Sequence, residues 1–173
     1  MKLNLPLLPL IALLFGCHLQ SGEPQALPSA TLKHASAHDV SIDYSSDLTL
    51  ETEVDDVSTK LYLKRDARLP SILVQVYTAD VTPEKALEIN TRHHRELCVR
   101  KDWKFSELPI REEIAGKQCN GTEITFTAND VQFRQRFLTL TVGKRTVFVM
   151  TMCKSIDDEV ARNLFKPIAT SMR

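Results

Sequence analysis

The strongest constraint on this 173-residue chain is a series of turn signals in its second half. Ala115-Gly116-Lys117, Asn129-Asp130 and Gly143-Lys144 separate β-prone segments around Glu107–Ile114, Gln118–Thr127, Val131–Val142 and Arg145–Cys153. Connections this short join only antiparallel neighbours, because a parallel pair needs a crossover of a dozen residues or so. The second half is therefore expected to fold as an antiparallel meander. Asn120-Gly121 is a competing turn signal inside the second segment. In the third segment Val131, Phe133 and Phe137 face one way, whereas Leu138, Leu140 and Val142 face the other. Either a bulge shifts the face there, or both faces of the strand are covered.

The first half adds shorter strands and a helix. Val40, Ile42 and Tyr44 alternate with polar residues, Leu48 and Leu50 continue the period, and Leu61 and Leu63 form another alternating piece. Ile72-Leu73-Val74-Gln75-Val76-Tyr77 is a continuous run of the kind covered on both faces. Thr82-Pro83-Glu84 starts a helix with a cap, a proline in the first turn and an acid at the positive end of the dipole. That helix is expected to reach about Val99. Ala86, Leu87, Ile89, Leu97 and Cys98 lie on one side, and Glu88, Arg92 and Glu96 form a solvated row opposite. A last helix starts at Ser155–Asp158 and repeats Val160, Leu164 and Ile168, with Pro167 expected to kink or end it early. The order predicts an α+β fold, an antiparallel sheet flanked by two main helices.

The N-terminus reads MKLNLPLLPLIALLFGC. Its apolar run, Leu5 to Phe15, is too short to span a bilayer and is interrupted by Pro6 and Pro9. Leu14-Phe15-Gly16-Cys17 resembles the lipobox of bacterial lipoproteins. That resemblance implies removal of residues 1–16 as a signal peptide and acylation of Cys17 with chains such as palmitate, enough for stable membrane attachment. His18, where an Asp would mark inner-membrane retention, points to a periplasmic protein anchored to the outer membrane, with the inner membrane as the alternative. The following stretch, HLQSGEPQALPSATLKHASAH, has few large apolar residues and reads as a tether. The expected organisation is signal peptide 1–16, lipidated Cys17 and tether 17–38, and one domain over 39–173. His34 and His38 then fall in the tether and form no site. Lys and Arg total 22 and Asp and Glu total 22, so no net charge draws the chain to nucleic acid.

The mature region resembles the PsbP-like α/β/α sandwich superfamily, and within it the bacterial DcrB-type lipoproteins. The likeness lies in "VSIDYSSDLTL", in the strand-to-helix passage "YTADVTPEKALE", and in the meander through "GTEITFTAND" and "QRFLTLTVGKRTVFVMTM". It closes with the helix "DDEVARNLFKPIATSM". The resemblance implies an accessory or binding protein without a common catalytic residue set or cofactor.

His93 and His94 are the best chemical candidates. His94 and Cys98, four residues apart, share a helix face and make half of a soft-metal site, but no second Cys/His pair has ligand spacing. The pattern reads as two boundary histidines beside a packed cysteine, and no metal is expected. His93 and Glu96 have the spacing of a base and its orienting partner without a nucleophile motif nearby. Apart from Cys17, three cysteines remain in an oxidising compartment. Cys119 and Cys153 lie at opposite ends of the meander, so the readings are a Cys98–Cys119 disulfide, which is the expectation adopted, or three buried thiols. The expected function is a lipid-anchored periplasmic accessory or scaffold protein that binds a protein partner and is not an enzyme. The alternative is a periplasmic immunity protein that neutralises a secreted toxin.

Overall fold

The computed structural model describes residues 31–65 and 68–173; Cys17 and the lipobox lie outside the described residues. Strands β1 (Leu32–Ala37) and β2 (Val40–Ser45) form a hairpin. Then come β3 (Thr49–Val54), β4 (Ser58–Arg65), β5 (Arg68–Tyr77), helix α1 (Pro83–Arg100), β6 (Lys104–Ile114), β7 (Lys117–Ala128), β8 (Val131–Val142), β9 (Arg145–Lys154) and helix α2 (Asp158–Ser171). Seven strands build one antiparallel sheet in the order β3-β4-β5-β9-β8-β7-β6. The meander is thus confirmed, and β5 joins it through β9.

The two faces of the sheet are both covered. On one, α2 and the β1–β2 hairpin pack over Leu61, Leu63, Ile72, Val74, Leu138, Leu140, Val147 and Val149. On the other, α1 packs over Phe126, Phe137 and Phe148. This resolves the reversal in β8: its pairing with β7 and β9 runs without a register shift, so no bulge is present and each half of the alternation serves its own core. The expected turn at Ala115-Gly116 forms, with positive φ at both residues as a tight hairpin requires. Asn120-Gly121 lies inside β7 instead. Gly121 is there for close approach: a Cβ would stand 2.3 Å from the Phe137 carbonyl oxygen and 2.7 Å from a Leu138 methyl.

Three expectations need correction. The folded part already includes residues 32–37, which were expected in the tether. β1 pairs with β2 over its whole length, His34 Nδ1 lies 2.8 Å from Asp43 Oδ1, and His38 Nε2 lies 2.9 Å from Thr59 Oγ1. The strand buries only Ala35 and Ala37, whose small side chains carry little periodic signal. Pro167 does not end α2, which continues to Ser171. The carbonyl that loses its donor belongs to exposed Asn163, while Leu164, Phe165, Ile168 and Ala169 hold the inner face to the sheet. Val160, expected inward, is 40% exposed, and Ala161 takes its place. The chain end is stitched to β2: Ser41 N donates to Arg173 O at 2.8 Å, and Arg173 N donates back to Ser41 O at 3.1 Å.

Candidate functional site

Helix α1 is held at its start by Thr82, whose hydroxyl accepts from Lys85 N at 3.3 Å. Its inner face is unusually polar. The buried residues are Ala86, Thr91, His94 and Cys98, whereas Ile89 is exposed, contrary to the expected apolar stripe. Polar ties supplement this thin packing. Asn90 Nδ2 donates to Tyr77 Oη at 3.1 Å, and Arg95 forms a two-pronged pair with Glu107 of β6.

His94 lies against two aromatic rings, at 5.0 Å from Phe126 and 5.7 Å from Phe137. Those rings occupy diagonal corners around the Ile124–Gln135 cross-strand pair, so the imidazole sits over that pair. Its Nε2 is buried without a hydrogen-bond partner, and so is Gln135 Oε1. Gln135 Nε2 reaches Met150 Sδ at 2.7 Å. Burial lowers the His94 pKa, the nearby His93 lowers it further, and Glu107 opposes them only in part. His93 and Glu96 are exposed on the outer side of α1, so the expected candidates separate: His94 and Cys98 are internal, His93 and Glu96 face solvent.

The Cys98–Cys119 bridge is not formed. Cys98, Cys119 and Cys153 are all free and buried. Cys98 belongs to the core under α1 and Cys119 to the core under α2, with the sheet between them. Sequence order alone hid that separation, because it does not tell which face α1 covers. Cys119 and Cys153 do lie at opposite ends: Cys153 is level with Arg134 and hence Thr125, six residues along β7 from Cys119, or roughly 20 Å. Burial raises all three thiol pKa values.

Helix α1 packs on β7, β8 and β9 and reaches the end of β5, where Tyr77 is buried with Leu73 and Gln75. The same face of β3 and β4 stays partly or fully exposed at Glu51, Glu53, Lys60, Tyr62 and Lys64. A groove of about 390 Å³ opens there, lined by Glu51, Thr52, Glu53, Tyr62 and Lys64. Its charges are held in fixed pairs. Lys60 Nζ lies 2.8 Å from Glu53 and 3.0 Å from Asp55, and Lys64 Nζ lies 2.6 Å from Glu51 and 5.5 Å from the centre of the Tyr62 ring. Behind them, buried Gln75 donates to Ser58 Oγ at 2.9 Å, which donates to Asp55 Oδ1 at 3.1 Å. Asp55 also accepts from the backbone N–H groups of Val57 and Ser58. The Lys60 contact, followed by these bonds, brings its carboxyl down to about 2. This edge of the sheet is charged at its rim, and the cross-strand row from Tyr62 continues inward through buried Leu73 to Met150.

On the opposite face lies an ionic network that sequence reading missed. Arg136, 5% exposed in its side chain, sits 2.9 Å from Glu123, 2.8 Å from Asp158 and 3.5 Å from Glu112. Arg134 contacts Asp158 at 2.9 Å, and Arg162 contacts it at 3.0 Å. The three cations and three carboxylates balance, so the network ties the start of α2 to the sheet and leaves no net charge to attract an ion. Burial tends to raise the Asp158 pKa, but the Arg162 hydrogen bond and the Arg136 and Arg134 charges outweigh it and hold the carboxyl below its ordinary range. The available signal was the alternation of Arg134 and Arg136 with Phe133 and Phe137, which puts both arginines on a covered face.

This architecture is similar to that of cyanobacterial PsbP from Synechocystis, with 12% identity, 88% of this chain and 98% of that one covered, and a TM-score of 0.52. A Bacteroides thetaiotaomicron protein matches with 10% identity over 78% of this chain at a TM-score of 0.50, and the chain spans 44% of that protein's length. LpqN of Mycobacterium tuberculosis, involved in cell envelope biogenesis, matches with 11% identity, 82% of this chain and 90% of its own, at a TM-score of 0.48. No family model and no curated protein matches the sequence. Identities this low speak to fold alone.

Proposed function

Starting from the PsbP-like fold, which this chain has, we propose that it is a lipid-anchored protein of the bacterial cell envelope that acts by binding another protein. The observation that carries this reading is the exposed face of β3 and β4, beside the part of the sheet that α1 covers. An exposed surface whose charged side chains already pair with one another loses less freedom on docking than one whose side chains are free. The groove's lining of charged side chains together with the Tyr62 ring suits a protein interface, where aromatic residues are enriched and the rim is polar. Anchoring follows from Leu14–Cys17, with residues between Cys17 and Leu32 as the spacer that carries the domain off the bilayer. Among the described residues no helix is long and apolar enough to cross a membrane.

The test is a photo-crosslinking amino acid placed at Glu51 or Glu53 in cells, with Asn163 on α2 as the exposed control. A discrete adduct from the β3 positions and none from Asn163 is the expected result. Adducts from Asn163 alone, or none from either, would overturn the assignment of this surface. Cys17→Ser should release the folded domain from the membrane fraction, and membrane retention of that variant would refute the anchor.

A further inference from the structure

His94 and Cys98 were half of a soft-metal site without a partner pair, and the fold brings thioethers to the missing side. Met150 and Met152 are two residues apart on β9 and pack toward α1, in the core that contains Cys98. Met150 is the cross-strand neighbour of Phe137, on which His94 rests, and Met152 is the neighbour of Gln135, over which it sits. We propose that His94, Met150 and Met152 bind a soft monovalent cation, chemically Cu(I), where α1 meets β8 and β9. This goes beyond the binding of a protein partner and does not depend on it.

Three observations favour that ion. First, His94 is 7% exposed, and its Nε2 is buried with no hydrogen-bond partner. Neutral His binds metal through the lone pair of such a nitrogen. Second, the donors are uncharged. Transfer of an ion into a low-dielectric site costs energy in proportion to the square of its charge, about four times more for a divalent than a monovalent ion. Thioethers and imidazole select Cu(I), whereas zinc would call for thiolate or carboxylate. Among the described residues no group of three or more His, Cys, Asp or Glu side chains is gathered for a hard or borderline metal. Third, Met150 and Met152 are only partly buried, so an ion has a way in from solvent, and Met150 Sδ would exchange its contact with Gln135 Nε2 for the ion.

The experiment uses the full chain carrying Cys17→Ser, since a free Cys17 thiol would itself take up Cu(I). Anaerobic titration against a chromophoric Cu(I) chelator should give one equivalent bound. Met150→Leu with Met152→Leu keeps core volume and should weaken binding roughly tenfold or more. Cys98→Ser should leave affinity unchanged. Titration with Ag(I), a redox-inert analogue, should shift the His94 ring and both methionine methyl resonances together. No uptake by the parent protein would overturn the proposal, as would uptake unaffected by the double Leu variant or lost in Cys98→Ser. Should the Leu variant melt far below the parent, the Ag(I) spectra decide: unshifted His94 and methionine resonances refute the site.

Discussion

Arg136→Met is the most informative perturbation of this fold. The substitution keeps an apolar stem in the pocket and removes the charge that faces Glu123, Asp158 and Glu112. The network then changes from three cations against three carboxylates to two against three. One carboxylate is left uncompensated among side chains only 14% to 25% exposed. Breaking a buried pair from one side costs about 3–5 kcal/mol. The lower end applies here, since Arg134 and Arg162 still reach Asp158. A loss of about 3 kcal/mol should lower Tm by roughly 10 °C in a domain of this size. The pH dependence tests the cause. Asp158 titrates below its ordinary range in the folded protein, so its contribution is present above the unfolded value and lost as pH falls through the folded one. Arg136→Met removes part of that lowering, and its unpaired carboxylate is relieved by protonation. The stability gap between parent and variant should therefore be widest near neutral pH and close below about pH 4. Adding Glu123→Gln should restore much of the loss at neutral pH. Urea melts at several pH values measure all of this. A gap that is constant with pH, or a double variant no better than the single, would refute charge compensation and leave only lost packing.

Other outcomes follow from single positions. Gly121→Ala should destabilise by roughly 3 kcal/mol, since a carbon 2.3 Å from the Phe137 oxygen forces β7 and β8 apart; a thermal melt within a degree of the parent would contradict that contact. His94 titrates low in the folded state, so the stability it lends should be full above about pH 6.5 and decline as pH falls below that unfolded value. His94→Phe should flatten this acid limb in urea melts, and an unchanged limb would assign it to other groups. Cys98, Cys119 and Cys153 should resist a thiol reagent in the native protein and react together on unfolding; rapid labelling of any of them before unfolding would contradict its burial.

How much of this was legible in the sequence depends on what each signal encodes. Turn chemistry is local, so Asn129-Asp130 and Gly143-Lys144 marked their hairpins directly, and Thr82-Pro83 marked the start of α1. Asn120-Gly121 carried the same letters for another reason. Glycine serves a turn by its φ and a close contact by its missing Cβ, and only the neighbouring strand distinguishes the two. Opposed alternation in β8 was visible, but its meaning required knowing that helices lie on both faces. The same ignorance produced the Cys98–Cys119 expectation, which is plausible along the chain and forbidden across a sheet. β1 was hidden because its buried side chains are two alanines.

The candidate site was the least legible part, and the cause is general. Residues of α1 buried against the sheet are Ala86, Thr91, His94 and Cys98, and hydrophobic periodicity does not recognise Thr91 and His94 among them. Their thioether and amide neighbours come from β8 and β9, some forty to sixty residues away. A metal motif is readable in sequence when its ligands share one element or a fixed spacing. A site divided between a helix and the opposing strands has neither. Its sequence trace is only a polar residue placed where the fold demands an apolar one. His94 meets that description, and its unpartnered nitrogen beneath a helix of otherwise thin packing is the feature that conventional core design would have removed.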